Sequence, residues 1–268
     1  MDYTAENKRK KIEVCRLQAP VMVSLGFPEG SLQHLKDGER ISEEVGDERG
    51  LAFFYSFLGN YFTVKGDPLL GIQYSEKCFQ EAEKIEDVEL MASVGCALAL
   101  SYFFSGECMK VVDVAPKVIR LLEKTKRESD SFGRPTSAYV HFNAFYSAAL
   151  AFLGRFPEAE ACCEKALRCA RSMNHLLSMG QAEEFYGHLF ARKGDGRVAL
   201  EYLESSLKHL EEGGFVLVLP FVLAFSGFAY HCLGELDKAR NHLQKALEMQ
   251  KDLEKVNALT MLPTQADT

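Results

Sequence analysis

Three features of the sequence predict an all-α solenoid of six helix–turn–helix units. Turn glycines recur on a regular grid, apolar runs of helical spacing flank each one, and side-chain sizes repeat at fixed distances from it. The glycines are Gly26, Gly66, Gly106, Gly154, Gly194 and Gly234, with intervals of 40, 40, 48, 40 and 40 residues. They lie in SLGFPEGSL, VKGDPLLGI, FSGECMKVV, LGRFPEAEA, RKGDGRVAL and LGELDKARN. A glycine at such a point takes positive φ without a Cβ penalty and ends the helix before it. The residues that follow begin the next helix. Asp67–Pro68 reads as an N-cap and a first-turn proline, and Pro28 and Pro157 are expected at similar helix starts.

Aligning the units on the glycine shows how their helices pack. Seven residues before it stand Ala19, Gly59, Ala99, Ser147, Gly187 and Gly227, all small. Four before it stand Met22, Phe62, Tyr102, Leu150, Phe190 and Tyr230, all large. Twelve after it, Ala166 and Ala246 alternate with other small or medium residues such as Gly38, Cys78 and Ser206. Small residues let two helices approach closely, and large ones fill the space between neighbouring pairs.

This pattern, in LGNYF…KGD…GIQYSEKC and SGFAY…LGELDKARNHLQKAL, resembles the tetratricopeptide repeat (TPR) over residues 5–252. The unit is 40 residues long where 34 is usual, which implies longer helices. Its period and turns are similar to the TPR regions of large bacterial signalling ATPases, nucleotidyl cyclases and maltose-activator-like transcription factors. The resemblance implies a single right-handed superhelix over residues 1–252. Its repeats span about 5–46, 47–86, 87–130, 135–173, 174–213 and 214–252, and residues 253–268 form a helical extension and tail. First helices line the concave face, where such repeats bind extended or helical peptides.

Carried over by distance from the turn glycine, the groove positions include Phe53, Asn60, Phe103, Phe104, His141, Phe152, Glu184, His188, Arg192, Phe228 and His231. Ser56, Cys96, Gln181 and Phe221 belong to the same set. The expected ligand is an amphipathic helix or apolar peptide held by aromatic contacts, with Arg192 or Glu184 fixing register. Asn60 and Arg192 match a carboxylate-clamp pattern singly but stand units apart, so that clamp is not reproduced. The implied function is a non-catalytic protein- or peptide-binding scaffold, the sensor or interaction region of a larger regulator. The alternative is a ligand or peptide sensor that switches a partner by closing the superhelix, for which an enclosed aromatic cavity near Phe103, Phe152 and His188 would speak.

Composition narrows the rest. The chain has 268 residues, a net charge of −7 and no basic surplus to favour a phosphate backbone, so no nucleic-acid partner is expected. KRKK (8–11) reads as part of a solvated helix. The apolar run 215–230 is broken by Pro220 and is not a membrane span, and the polar N-terminus has no export signal, which points to the cytoplasm. There the eight cysteines are expected as thiols. Cys163 falls where other units carry Leu35, Ala115 or Leu203, and Cys78 stands at a small-residue position, so both read as packing residues. Paired C-x-x-C motifs, a phosphate-binding G-x-x-x-x-G-K-[ST] loop, H-E-x-x-H and G-x-S-x-G are absent, and the seven histidines are scattered. No enzyme activity, cofactor or metal is expected.

Two segments stand outside the grid. KTKRESDSFGRPT (124–136) carries the eight extra residues between the third and fourth units and is expected as an exposed loop, a hinge or protease site. At the other end, Leu253, Val256, Leu259, Met261 and Leu262 are too apolar for a solvated cap and predict contact with another chain, another domain or a second copy.

Overall fold

A computed structural model of the chain describes residues 4–257, excluding the side chains of residue 5 and residues 253–257. Those residues form twelve α-helices and one short 3-10 turn. The helices are α1 (Ala5–Ser24), α2 (Ser31–Val45), α3 (Glu48–Val64), α4 (Pro68–Lys84), α5 (Val88–Phe104) and α6 (Cys108–Thr125). Then come α7 (Ala138–Phe152), α8 (Phe156–Met173), α9 (Leu176–Arg192), α10 (Gly196–Glu212), α11 (Leu219–Cys232) and α12 (Leu236–Asn257). The 3-10 turn, Val216–Val218, precedes α11. Consecutive helices pair, and the six pairs stack into a right-handed superhelix. The apolar tail residues named above lie outside the described side chains.

All six turn glycines adopt positive φ, from 74° to 89°. In every unit the residue after the glycine donates its N–H to the carbonyl four before the glycine: Phe27 to Met22, Asp67 to Phe62, Glu107 to Tyr102, Arg155 to Leu150, Asp195 to Phe190 and Glu235 to Tyr230, all at 2.7–3.0 Å. This six-to-one bond satisfies a carbonyl that the helix end leaves open. Asp47, Asp67, Asp87, Ser137 and Asp195 then accept from first-turn N–H groups as N-caps. Pro157 starts α8 as expected. Pro28 does not start a helix: α2 begins at Ser31, after Gly30 at φ 85°, because the first turn is longer. Buried Phe27 fills that turn and meets Tyr61 edge-on at 5.3 Å.

Within each pair, the residue seven before the glycine faces the residue nine after it. A Cβ built on Gly187 would lie 2.5 Å from Leu203, one on Gly227 2.8 Å from Leu243, and one on Gly59 2.3 Å from the Ser75 hydroxyl. In the fourth pair these positions hold Ser147 and Cys163, whose Oγ and Sγ are 2.8 Å apart. Where one side of the crossing is glycine, the other can be leucine; where it is serine, cysteine fits. Cys163 is fully buried, and burial pushes its thiol up to about 12, so it packs as a small apolar residue. All eight cysteines are free.

First helices α5, α7 and α9 are buried nearly all round, enclosed between the second helices and the interior of the superhelix. Second helices such as α6 and α10 bury one face only. The superhelix also closes on itself. α1 touches the 216–218 turn, and Phe104 at the end of α5 meets Phe221 in α11 at 6.0 Å. One continuous apolar cluster therefore contains Ile12 and Cys15 together with Leu217 and Leu219.

The 126–137 insert is not the exposed loop expected from its polarity. Arg134, Thr136 and Ser137 are buried, and the segment turns inward onto α3 and α5. Arg134 Nη1 donates to Ser56 Oγ at 3.1 Å and to the Ser93 carbonyl at 3.3 Å, and Ser56 Oγ donates to that carbonyl at 2.6 Å. No helix among the described residues is long and apolar enough to cross a membrane.

Candidate functional site

The inner surface divides into two regions. In the third to sixth units the rings of Phe103, Phe145, Phe152, Phe185, His141, His188 and Phe225 form a connected network with centroid spacings of 4.4–6.4 Å. Arg192 caps it, its guanidinium 3.5 Å from the Phe152 ring centroid and its Nε donating to His188 Nε2 at 2.7 Å. Of the residues placed in the groove from sequence, this network joins Phe103, His141, Phe152, His188 and Arg192. Phe104 extends it from Phe103 to Phe221.

Helix α9 supplies the polar groups. Gln181, Glu184 and His188 recur at helical spacing on one stripe, with Arg192 one turn further. Gln181 Nε2 is 3.4 Å from His141 Nδ1, and His141 Nε2 is 3.0 Å from the Cys96 carbonyl. An amide N–H can only donate and a carbonyl can only accept, so His141 carries its proton on Nε2. Gln181 Oε1 is left buried without a partner. The same logic applies to His188. Its Nε2 accepts from Arg192, so Nδ1 carries the proton, and Nδ1 is also buried without a partner.

Between them lies Glu184, only 4% exposed and with no hydrogen-bonding or ionic partner among the described residues. Burial pushes its carboxyl up to about 8, so it is largely neutral at pH 7. Burial, with a smaller contribution from nearby arginine charge, holds His141 and His188 down to about 3. The stripe thus presents an acceptor, a protonated acid and a donor within aromatic walls.

The other predicted residues stand apart. Phe53 is buried against Phe54 and Phe57 in the second unit, under Arg16 at 5.1 Å. Asn60 is buried in the same helix. Phe228 and His231 stack at 6.5 Å at the exposed end of α11. Phe152 is exposed, while Phe103, Phe104 and Arg192 are half-buried. Sequence reasoning missed Arg16, Ser93, Phe132 and Arg134, which the insert brings together. Among the described residues no group of three His, Cys, Asp or Glu side chains is placed to hold a metal ion.

No family model matches the sequence, and no curated protein matches it. Solved structures do share the fold. A Rap protein in complex with Competence and Sporulation Factor aligns with a TM-score of 0.69 at 16% identity, over 95% of this chain and 67% of that one. BtubC (BKLC) from P. vanneervenii aligns with a TM-score of 0.50 at 14% identity, over 98% and 95%. A kinesin light chain of Podosopora anserina, described by its nearly identical TPR-like repeats, gives 0.49 at 15% identity, over 75% and 95%. At these identities the likeness is one of fold. The repeated turn, the paired crossings and the likeness to the Rap protein and BtubC agree: the chain folds as a TPR-like helical solenoid.

Proposed function

We propose that this chain is a non-catalytic receptor for a peptide or protein segment, bound along the inner face of the fourth to sixth units. The observation that carries the reading is the α9 stripe. Leaving a buried polar group unpaired costs about 1–3 kcal/mol each, and here Gln181 Oε1 and His188 Nδ1–H are buried and unpaired among aromatic rings, with the 4% exposed Glu184 between them. A peptide backbone offers alternating N–H and C=O groups that answer such a mixed set, and apolar side chains suit Phe103, Phe152 and Phe228. The structural relative solved with Competence and Sporulation Factor supports a bound-factor role for this fold. The wider context we propose is a cytoplasmic regulator, in which residues 253–268 contact another domain or copy.

The second reading, a sensor that switches a partner by closing, is favoured by the contacts of α1 with residues 216–218 and of Phe104 with Phe221. A ligand on α9 and α11 would bear directly on that closure.

The test is selection from a random peptide-display library on the intact protein. The selected peptide is then mapped by hydrogen exchange. Protection concentrated in α7, α9 and α11 supports the reading; protection confined to the second helices refutes it.

A further inference from the structure

A cavity of about 600 Å³ opens where the insert folds over the first three units. Its lining includes Arg16 of α1, Phe53 of α3, Ser93 of α5, and Arg127 and Phe132 of the insert. The insert is held in a fixed shape there. Phe132 and Gly133 both take positive φ, at 51° and 75°, and a Cβ on Gly133 would lie 3.1 Å from Phe53. A non-glycine residue in that conformation persists only where packing imposes it, and here Arg127 lies 4.5 Å from the Phe132 ring.

The charges around this cavity do not balance. Arg49 is paired with Asp87 at 3.1 Å and with Glu89 at 3.7 Å, and Arg127 with Asp130 at 2.6 Å. Those pairs use the acids of the wall. Arg16 has no carboxylate within 4.0 Å among the described residues and is oriented only by the Phe53 ring. Arg134, which follows Gly133 and lies buried behind the wall at 7% exposed, has no carboxylate partner either; its Nη1 bonds are to a hydroxyl and a carbonyl. Ser93, which lines the cavity and is 5% exposed, has a buried hydroxyl with no partner. An arginine in the wall without a counter-charge, a second buried behind it and an unpaired hydroxyl donor are features an oxyanion would satisfy.

We infer that this cavity binds a small oxyanion, the phosphate or carboxylate group of a soluble ligand, between the Arg16 guanidinium and the Ser93 hydroxyl, with Arg134 supplying positive charge from beneath. Aromatic faces at Phe53 and Phe132 leave room for an apolar or planar remainder. The site is separate from the α9 stripe and does not depend on it.

The experiment uses the full chain, with inorganic phosphate and citrate as probes at constant ionic strength, which removes general screening. Thermal unfolding should shift upward by about 3 °C or more once a probe exceeds its dissociation constant tenfold. Direct calorimetric titration should show affinity at least tenfold weaker in Arg16→Ala and in Ser93→Ala. Arg16 sits at the cavity rim, so its alanine variant keeps the fold and isolates binding from stability. A response to phosphate alone assigns the phosphate class, and a response to citrate alone the carboxylate class. No response to either probe, or equal affinity in wild type and Arg16→Ala, overturns the inference.

Discussion

The two regions of the inner surface handle buried polarity in opposite ways. In the second and third units the insert reaches in, and Arg134 answers Ser56 and the Ser93 carbonyl across 78 and 41 residues of chain. In the fifth unit no comparable insert reaches in among the described residues, and Gln181 Oε1 and His188 Nδ1 stay unpaired among aromatic rings on either side of the buried Glu184. The chain's own insert thus supplies partners to buried polar groups at one end of the scaffold, whereas at the other end such groups keep unpaired atoms. Unpaired groups are costly to the free protein and useful only if something pairs with them.

The largest effect expected from this contrast is a pH dependence. The folded-state pKa of Glu184, about 8, lies above its ordinary 4.5, so the folded chain holds a proton that the unfolded chain releases. Stability should therefore fall as pH rises from about 5 to 9, by roughly a few kcal/mol, and Glu184→Gln should flatten that fall. His141 and His188 have the opposite sign. Their folded values near 3 lie below 6.5, so their contribution is lost as pH falls from about 6.5 towards 3. Denaturant unfolding across pH checks both limbs; a Glu184→Gln variant as alkali-sensitive as wild type would mean the carboxyl is not buried as described.

The next largest effect removes the filling. Arg134→Ala removes the donor to Ser56 Oγ and one of the two donors to the Ser93 carbonyl, and should cost roughly 2–3 kcal/mol. It should also free the insert, so limited trypsin digestion should cut at Arg127 in the variant and spare it in wild type. Smaller again is Gly187→Ala, which sharpens the contrast by displacing α9. Its Cβ would lie 2.5 Å from Leu203, and overpacking of this kind costs about 1–3 kcal/mol. Adding Leu203→Ala should recover part of that loss. The smallest stability effect is Arg192→Ala, about 1 kcal/mol from the lost stacking on Phe152.

Most of the fold is legible in the sequence because its determinants are local. A turn glycine, the bond that spans it and the small residue seven before it all act within one unit, so the 40-residue grid exposes them. Gln181, Glu184, His188 and Arg192 are also visible, since helical spacing alone places them on one stripe. What the sequence hides is set by the superhelix as a whole. Nothing in the local run ESDSFGRPT says that Arg134 will bury itself against residues 41 and 78 positions earlier. The one available signal was a glycine followed by arginine and proline inside an otherwise polar insertion. The closure of α1 on residues 216–218 is equally non-local, as is the packing between units that encloses His141, read as a groove residue, between Cys96 and Gln181. Pro28 precedes the helix start for a different reason: the first turn adds Phe27 at positive φ, an unusual conformation for a residue with a side chain.

The most direct test of the account compares the two regions with one ligand. A peptide selected on the wild-type protein would be titrated by fluorescence anisotropy against Arg192→Ala and Arg16→Ala. Binding should be at least tenfold weaker in Arg192→Ala and unchanged in Arg16→Ala. The reverse pattern, or equal binding by both variants, would contradict the account.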